Sequence, residues 1–299
     1  MKSILIKITP YLVLYIILNL MCFKTSGFYE QESEYLERID HTIDKQSKII
    51  FLGDSHVESI KLLNLSSEVG NLAYGADGID EMYIKVLTMI KFNKNLETVF
   101  IATEPQIFND VSSPNSTFLN KYLLKIDDTL NVYNKSKLNL LTEKLPLLND
   151  SYISYVMNAI YSSFKSTNTS ENEIKWSERS NEERVKIATE TGKSDHNAIM
   201  NNKSSKIIYK EIIEICKLNN IKVIGIRFPV NENYINQSSN EDTKKVDDFI
   251  KTLNLNYHLD YSKEFTNPKY FKDQDHLNIT GLNEFVKIIF EQTDIKITK

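Results

Sequence analysis

The chain has 299 residues, a length that suits one α/β domain carrying a large insertion. Its formal net charge of -4 gives no sign of the basic surface that nucleic-acid binding requires. Hydrophobic residues make up 41% of the chain and charged residues 25%, which is typical of a folded globular protein. Two cysteines and five histidines without metal-ligand spacing predict no disulfide framework, no bound metal and no cofactor.

Residues 1–29 are predicted to form an N-terminal membrane anchor or signal segment. The run from Ile8 to Phe23 is uncharged and apolar, with Lys2 and Lys7 before it and acidic residues behind it. Lysines on the N-terminal side favour an N-inside orientation, which places the following domain outside the cytoplasm. We favour an uncleaved single-pass anchor because no Ala-x-Ala cleavage pattern follows the run. Cleavage would instead give a secreted protein.

After a polar, helix-prone linker, short apolar runs alternate with helical periodicity over the remaining residues 30–299. The runs predict five strands, at residues 48–52, 68–73, 98–102, 223–226 and 257–259. The helical patterns lie at residues 57–63, 79–92, 206–218, 244–253 and 281–290. This alternation predicts a parallel sheet that is covered by helices on both faces. Ligands are then expected at the carboxyl ends of the strands.

The alternation breaks between residues 104 and 205. A structureless loop of that length would be anomalous, so a helical insertion over the active-site end of the sheet is predicted. Trp176 has polar neighbours and is the candidate for an exposed aromatic residue that stacks on a sugar ring. The other aromatic residues of the insertion are expected to pack its own small core. They include Tyr122, Tyr152, Tyr155, Tyr161 and Phe164.

A tight turn with reactive groups follows the first predicted strand. Gly53, Asp54 and Ser55 end the apolar run, and the next residues open a helix. Ser55 and Glu58, three residues apart, also fit a capping box, in which the hydroxyl only satisfies a helix N-terminal amide. Such tripeptides are common in turns, so this motif alone is a weak indication of catalysis.

A carboxylate lies three residues before a histidine near the C-terminus. A serine hydroxyl is a poor nucleophile until a base takes its proton. We predict that His276 is the base for Ser55 and that Asp273 orients its imidazole. Asn278 is predicted to cap the last helix and so to fix the position of His276.

Two neighbours compete for these roles. Asp275 is the alternative orienting carboxylate, although adjacent side chains on an extended loop tend to diverge, which would leave it solvated or capping. His56 is a rival base next to Ser55, but on the first turn of a helix its side chain should point away from its neighbour.

Together the two segments resemble the SGNH/GDSL hydrolase superfamily, whose first block is Gly-Asp-Ser and whose last is Asp-x-x-His. The resemblance covers residues 46–103 and 206–293. It implies a flavodoxin-like three-layer α/β/α sandwich with a central parallel sheet of about five strands, interrupted here by the insertion. It also implies a serine hydrolase or acyltransferase that acts on ester bonds.

An acyl-transfer enzyme needs hydrogen-bond donors for the oxyanion of its transition state. The backbone amide of Ser55, at a helix N-terminus, is one natural donor. In the superfamily a second donor is a glycine after the second strand, which implies Gly75 here, or Ala76 if the register slips by one. Asp54 and Asn71, in these two blocks, are predicted to belong to the substrate-binding site.

The third block departs from the superfamily pattern. Thr103, Glu104, Pro105 and Gln106 follow the third strand, where Gly-x-Asn-Asp is expected. One oxyanion donor is therefore missing, or is supplied by Gln106 or by the insertion. Losing one such donor costs about two to three orders of magnitude in turnover. A catalytically degenerate member of the superfamily thus stays open.

Relaxed third blocks are a feature of the envelope-anchored branches of this superfamily, which handle acylation of polysaccharide or teichoic acid. The segment 223–231, a strand ending in an aromatic–Pro turn, also looks like theirs. Arg227 is predicted to contact an anionic or sugar-hydroxyl ligand, although a salt-bridged arginine fits equally well.

The resemblance therefore implies an extracytoplasmic esterase or O-acyltransferase that acts on acyl groups, chiefly acetyl, of a cell-surface polysaccharide or other O-acylated glycan. A membrane acyl-donor protein is a candidate partner. The alternative is a degenerate relative that binds glycan or acts as a scaffold in the cell envelope.

Overall fold

A computed structural model of the chain describes residues 2–25, 27–63, 65–108, 114–126, 144–165, 174–196, 203–235, 240–265, 267–293 and 295. These residues divide into two compact units. The first comprises Met1–Glu37 and Pro114–Ser170, and the second comprises Arg38–Ser113 and Glu171–Lys299. The second unit contains the sheet and the predicted catalytic residues.

The described part of the chain contains five strands and eleven α-helices. The strands are β1 (Ile49–Leu52), β2 (Val69–Asn71), β3 (Thr98–Ala102), β4 (Lys222–Arg227) and β5 (Tyr257–Asp260). The helices are α1 (Lys2–Thr25), α2 (Gly27–Asp44), α3 (Ser55–Glu58), α4 (Ile79–Phe92), α5 (Asn120–Leu123), α6 (Asp150–Lys165), α7 (Asn181–His196), α8 (Lys203–Leu218), α9 (Glu232–Ile235), α10 (Asn240–Thr252) and α11 (Ile279–Thr293).

The five strands form one parallel sheet in the order β2-β1-β3-β4-β5. In this register Leu52 on β1 pairs with Ile101 on β3, and Arg227 on β4 pairs with Asp260 on β5. This strand order is that of the flavodoxin-like doubly wound folds, in which helices cover both faces of the sheet. The predicted α/β fold class is confirmed.

The two central strands form the middle of the core. Every residue of β1 and of β3 is buried. Phe51 and Phe100, on adjacent strands, stack with ring centroids 4.5 Å apart. A parallel sheet that is covered on both faces has no polar side, which is why these strands appear in the sequence as continuous apolar runs. Burying each such aromatic side chain contributes about 1.5–3 kcal/mol.

The bounds of most elements agree with the sequence prediction. Two of them, Ile79–Phe92 and Thr98–Ala102, have the predicted ends. The single helix predicted at residues 57–63 is instead the short α3 followed by a 3-10 turn at Ser59–Leu62. Because α3 begins at Ser55, the serine lies in the first helical turn and not before it.

One helix among the described residues is long and apolar enough to cross a membrane, and it lies near the N-terminus. Its apolar window, Lys7–Lys24, is 18 residues long and only 6% of it is buried. Most of its large apolar side chains, such as Leu12 and Leu20, are exposed. Apolar exposure over a whole helix indicates a membrane span, although a signal sequence has the same character. The orientation in the membrane stays a prediction.

The predicted insertion contains helices α5, α6 and α7 where it is described. Residues 109–113, 127–143, 166–173 and 197–202 lie outside the described part, as do the side chains of Tyr161 and Phe164. Tyr122 and Tyr152 are buried in the first unit, as expected for its core. Residues 114–170 belong to that unit and the remainder to the second. That the insertion covers the active-site end of the sheet stays a prediction.

Candidate active site

The candidate site lies where the sheet changes its winding direction. β1 and β3 are neighbours, while β2 lies on one side of this pair and β4 on the other. The loops after β1 and β3 therefore leave the sheet in opposite directions, which opens a crevice at their carboxyl ends. Ser55 follows β1, and the residues of the altered third block follow β3.

The turn before Ser55 is shaped by its glycine and by an aspartate cap. A Cβ on Gly53 would lie 2.3 Å from Cγ2 of Val57, so only glycine fits there. Asp54 is the N-cap of α3, and its Oδ1 accepts a hydrogen bond from the backbone N–H of His56 at 3.1 Å. The capping-box interpretation of Ser55 is thus wrong, because the neighbouring aspartate already caps this helix.

Three side chains from the two ends of the chain meet at this turn. Oγ of Ser55 lies 2.9 Å from Nε2 of His276. On the other side of the imidazole, Nδ1 lies 3.0 Å from Oδ1 of Asp273. The same carboxylate oxygen accepts the backbone N–H of His276 at 2.8 Å, which holds loop and side chain together. The order of these groups, serine, imidazole and carboxylate, is that of a hydrolytic triad.

The start of the last helix holds the histidine loop in place. Oδ1 of Asn278 accepts hydrogen bonds from the N–H groups of Thr280 and Gly281, each at 3.0 Å. Its Nδ2 donates to the carbonyl of Phe271 at 3.2 Å. The predicted capping role of Asn278 is confirmed, and the cap fixes the residue two positions after the histidine.

A second carboxylate and a second imidazole lie behind the triad. Oδ1 of Asp275 lies 3.0 Å from Nδ1 of His276, and its Oδ2 lies 3.4 Å from Nε2 of His56. Asp275 is only 8% exposed. The expectation of a solvated or capping carboxylate is therefore wrong: the loop folds back, and the side chain enters the space between the two rings. His56 faces the carboxylate of Asp275, and this position does not favour His56 as the base for Ser55.

The altered third block faces His56. Nε2 of Gln106 lies 3.2 Å from Nδ1 of His56 and 3.3 Å from Oδ2 of Asp54. Oε1 of Glu104 accepts the N–H of Phe228 at 3.0 Å and lies 4.0 Å from Nδ1 of His56. Sequence reasoning missed Glu104, whose only signal was an acidic residue directly after a buried strand. The amide of Gln106 is thus engaged with the side chains behind the serine.

Opposing effects set the charge of the two imidazoles. Burial lowers the pKa of His276, but Asp273 and Asp275 outweigh it and raise the pKa to about 10. Burial likewise lowers the pKa of His56, while Asp54 and Asp275 raise it to about 9. Both rings therefore hold a proton well above the ordinary histidine range near pH 6.5. As a base for Ser55, His276 is expected to work best at alkaline pH.

The carboxylates respond in opposite directions. Burial raises the pKa of Asp275, but the two facing imidazoles hold it well below its usual range. Burial raises the pKa of Glu104 to about 7, and the nearby charge of Asp54 adds to this effect. These shifts favour the anion of Asp275, whereas the pKa of Glu104 lies near neutrality.

Gly75 lies against the serine, but its amide is already bonded. A Cβ on Gly75 would lie 4.0 Å from Cβ of Ser55. The N–H of Gly75 donates to Oε2 of Glu58 at 2.8 Å, and Glu58 is held by ion pairs with Arg38 at 2.9 Å and Lys61 at 2.7 Å. The prediction of a donor that faces substrate is corrected, because this anchored carboxylate takes the hydrogen.

Asn71 is bonded to backbone groups on both sides of the site. Its Nδ2 donates to the carbonyls of Val57 and Glu58, each at 3.1 Å, and its Oδ1 accepts the N–H of Ala73 at 3.0 Å. These bonds tie α3 to the turn after β2. Asp54 is used as a helix cap, and its Oδ2 faces Gln106. That Asp54 and Asn71 also bind substrate stays a prediction.

Arg227 and Trp176 do not present free surfaces to a ligand. Arg227 is 4% exposed and forms ion pairs with Asp247 at 2.8 Å and Asp260 at 3.1 Å. Its guanidinium also donates to the carbonyl of Thr103 at 3.1 Å. Trp176 is 3% exposed, because its 3-10 turn packs on the one at Pro268–Tyr270. The salt-bridged alternative holds for the arginine, and the expected exposed stacking tryptophan is wrong.

One group of side chains in the described part of the chain has a spacing that would admit a metal ion. Ligand atoms of His56, Asp275 and His276 lie within 4.8 Å of one another. However, Nδ1 of His276 is already hydrogen-bonded to Asp273, and Nε2 of the same ring faces Ser55. We therefore assign these residues to a network of hydrogen bonds and ion-pair contacts. That the protein binds no metal stays a prediction.

A small cavity lies beside His56. Its volume is about 90 Å³, and apolar side chains from the region after β4 form much of its wall. This volume holds a few water molecules or a small organic group. The lining includes Glu104, Gln106, Phe228, Val230, Tyr234 and Ile235.

No protein-family model matches the chain. No curated protein matches it either. Among solved structures it is similar to the crystal structure of a GDSL-like lipase from Bacteroides thetaiotaomicron VPI-5482. The two are 10% identical, the match covers 88% of this chain and 98% of that one, and the TM-score is 0.39. So distant a similarity assigns neither a family nor a chemistry to this chain. The functional argument therefore rests on the residues around Ser55.

Proposed function

We propose that this protein is an extracytoplasmic serine esterase or O-acyltransferase that acts on acyl groups, chiefly acetyl, of a cell-surface glycan. The observation that carries the proposal is the alignment of Ser55, His276 and Asp273. Their atoms come from opposite ends of the chain, yet both hydrogen-bond distances are 3.0 Å or less. Such an arrangement activates a serine hydroxyl by giving its proton an acceptor.

The first half of the reaction forms an acyl-enzyme. Oγ of Ser55 bonds to the ester carbonyl carbon while its proton moves to Nε2 of His276. The electron pair of the C=O bond moves to the carbonyl oxygen, which becomes an oxyanion. The N–H of Ser55 is its proposed hydrogen-bond donor. When the intermediate collapses, the bond to the glycan oxygen breaks. His276 returns the proton to that oxygen, which leaves a free glycan hydroxyl and an acylated Ser55.

The second half decides between hydrolase and transferase. Water, or the hydroxyl of a glycan, attacks the acyl carbonyl while His276 takes its proton. The bond to Oγ of Ser55 then breaks, and the serine regains the proton from His276. Both outcomes use the same residues, so the acceptor that reaches the acyl-enzyme determines the activity.

Covalent labelling of the full-length protein in detergent tests the proposal. A fluorophosphonate probe should label the wild type and should fail to label Ser55→Ala. Ser66→Ala is a matched control, because this serine lies before β2 and only accepts a backbone hydrogen bond from Glu68. Labelling of Ser55→Ala at the wild-type level would end the proposal of a serine enzyme.

A catalytically inactive relative that binds glycan is the second candidate. Two observations favour it: the N–H of Gly75 is bonded to Glu58, and Gln106 is bonded to Asp54 and His56. The site then has fewer free oxyanion donors than an efficient esterase needs. Glycan binding by a wild-type protein that neither labels nor hydrolyses would support this candidate.

The proposed location of the activity is outside the cytoplasm, where a membrane protein could supply the acyl donor. Lys2 and Lys7, which precede the apolar run, support this orientation of the site-bearing unit. A phosphatase fused to the C-terminus should be active and should fractionate with membranes. Activity only from a reporter that requires the cytoplasm would contradict this orientation.

A further inference from the structure

A buried arm of the site extends away from the serine. It runs from Gln106 through His56 to Asp275, and it ends at the catalytic base His276. We propose that His56 and Gln106 form a positioning pair that holds Asp275 against His276 and thereby sets the orientation and basicity of the base. This inference rests on the proposed function, because it concerns the same reaction.

The hydrogen atoms of the arm differ between a neutral and a protonated His56 only at Nδ1. The amide nitrogen of Gln106 carries two hydrogens, which fits its two neighbours, Oδ2 of Asp54 and Nδ1 of His56. If His56 is neutral and accepts from Gln106, its proton is on Nε2, facing Asp275. If His56 is protonated, both ring nitrogens carry hydrogen, and the N–H on Nδ1 then meets the amide hydrogens of Gln106, so Gln106 favours the neutral ring. In either state Nε2 presents an N–H to Asp275, so this contact does not depend on the charge.

Asp275 needs this partner because it is buried. A carboxylate removed from water is stable only where donors or positive charges face it. The two imidazoles meet this need from opposite sides, at 3.4 Å for His56 and 3.0 Å for His276. Their rings are nearly perpendicular, with centroids 4.9 Å apart. The carboxylate is thus held between them and cannot turn away from the base without losing a partner.

The groups that face His56 come from three segments. Asp54 belongs to its own turn, Glu104 and Gln106 follow β3, and Asp275 and His276 precede α11. The carboxylates favour a positive charge on His56, and this charge offsets the pull of Asp275 on the proton of His276. Without that charge His276 would hold its proton more tightly, and a less available base would result.

The inference also accounts for the altered third block. Gln106 stands in the segment where the superfamily pattern has Asn-Asp. In this chain its amide is used to fix the second imidazole, and both Asp54 and His56 are within its reach. The departure from the pattern therefore coincides with a histidine directly after the catalytic serine.

The first test replaces His56 by glutamine in the full-length protein. Glutamine can still donate from Nε2 to Asp275, but it carries no charge. The acid limb of the kcat/KM profile should move up by about one pH unit, which lowers kcat/KM about tenfold at a fixed pH on that limb. His41→Gln, at an exposed histidine on α2, is the control and should leave the profile in place. A lower rate with an unmoved limb would mean that His56 only supports the fold, and would overturn the proposal.

The second test asks whether Gln106 acts through His56. Gln106→Leu should shift the limb in the opposite direction, because the amide hydrogens of Gln106 oppose a charge on His56 and their loss favours it. The double variant with His56→Gln should have the limb of His56→Gln alone, because Gln106 acts on the base through the charge of His56. Additive shifts would show that the two residues act separately, and the pair would be rejected.

A readout that needs no activity separates this proposal from the proposed function. The chain has five histidines, so the ring nitrogens can be resolved after selective nitrogen-15 labelling. The titration midpoint of His276 should rise in His56→Gln even if the wild type proves inactive. An unchanged midpoint would overturn the coupling. If His56→Gln does not fold, the titration midpoint of His276 is measured in Gln106→Leu instead. An unchanged midpoint in that variant would also overturn the coupling.

Discussion

The carboxyl ends of β1 and β4 both carry polar side chains, yet these side chains have different roles. After β1, Ser55 has a hydroxyl next to His276, whose side chain is 27% exposed. At the end of β4, Arg227 is 4% exposed, and three partners surround its guanidinium. One end keeps a reactive group within reach of solvent, and the other uses its charge within the protein.

The difference shows that a charged residue at a strand end is a weak indicator of ligand binding. Arg227 and Ser55 follow the same topological rule for ligand sites. What distinguishes them is whether neighbouring elements use all of their hydrogen-bonding capacity. At Arg227, Asp247 from α10 and Asp260 from β5 do so, whereas among the described residues the side chain that bonds to Oγ of Ser55 is the base itself.

The largest expected effect is at the reactive end. Ser55→Ala removes the nucleophile, so kcat for an activated acetyl ester should fall by about 10⁵–10⁶. Ser66→Ala should keep the wild-type rate. Steady-state hydrolysis, with circular dichroism as the check on folding, measures this. Equal rates for Ser55→Ala and wild type would mean that the groups at both strand ends only support the fold.

The second prediction separates the two carboxylates of the histidine loop. Asp273→Asn should lower kcat by about 10²–10⁴, because the hydrogen bond that orients His276 would be lost. Asp275→Asn should cost only about tenfold, since its Oδ1 lies at 3.0 Å without the geometry of a hydrogen bond. The opposite ranking would make Asp275 the orienting residue.

The third prediction concerns the supporting end. Arg227→Met should lower the free energy of unfolding by about 2–4 kcal/mol, somewhat less than for a fully buried pair because both aspartates are partly exposed. Urea denaturation measures this, with the exposed Lys210→Met as the control near zero. The kcat/KM of folded Arg227→Met should stay within about twofold of wild type. A selective rise in KM with unchanged stability would instead indicate that Arg227 contacts the substrate.

The fourth prediction is the pH dependence. Since the pKa of His276 is raised to about 10, kcat/KM should rise about tenfold per pH unit from neutrality towards that value. Stability should change in the opposite direction. A raised folded-state pKa stabilises the protein fully below the unfolded value near 6.5, and this contribution is lost as the pH rises through about 10. A flat profile between pH 7 and 9 would show that the base is already neutral.

Much of the fold could be predicted because its signals are local. The buried runs of β1 and β3 and the amphipathic pattern of α4 depend only on neighbours within each segment. The pairing of Ser55 with His276 and Asp273 was also accessible, because both motifs lie next to elements whose ends are well marked. Asn278 belongs to this class, since an N-cap is a relation between adjacent residues.

The errors share a different cause. The occupied amide of Gly75 depends on Glu58, which is 17 residues away in the chain. The burial of Trp176 depends on a turn at Pro268–Tyr270. The anchoring of Asp275 depends on His56, at the opposite end of the unit's sequence. In each case a polar or aromatic residue was interpreted by type, while its partner came from another element.

The sequence by itself determined the alternating layers of this protein and the three residues that can form its triad, because periodicity and short motifs are local properties of the chain. Only the tertiary structure decided which polar atoms remain available. Folding brings distant donors and acceptors within about 3 Å of one another, and a buried group takes whatever partner lies at that distance. The amide of Gly75 therefore binds Glu58, and the guanidinium of Arg227 binds two aspartates. In the same way a second imidazole, that of His56, lies behind the base.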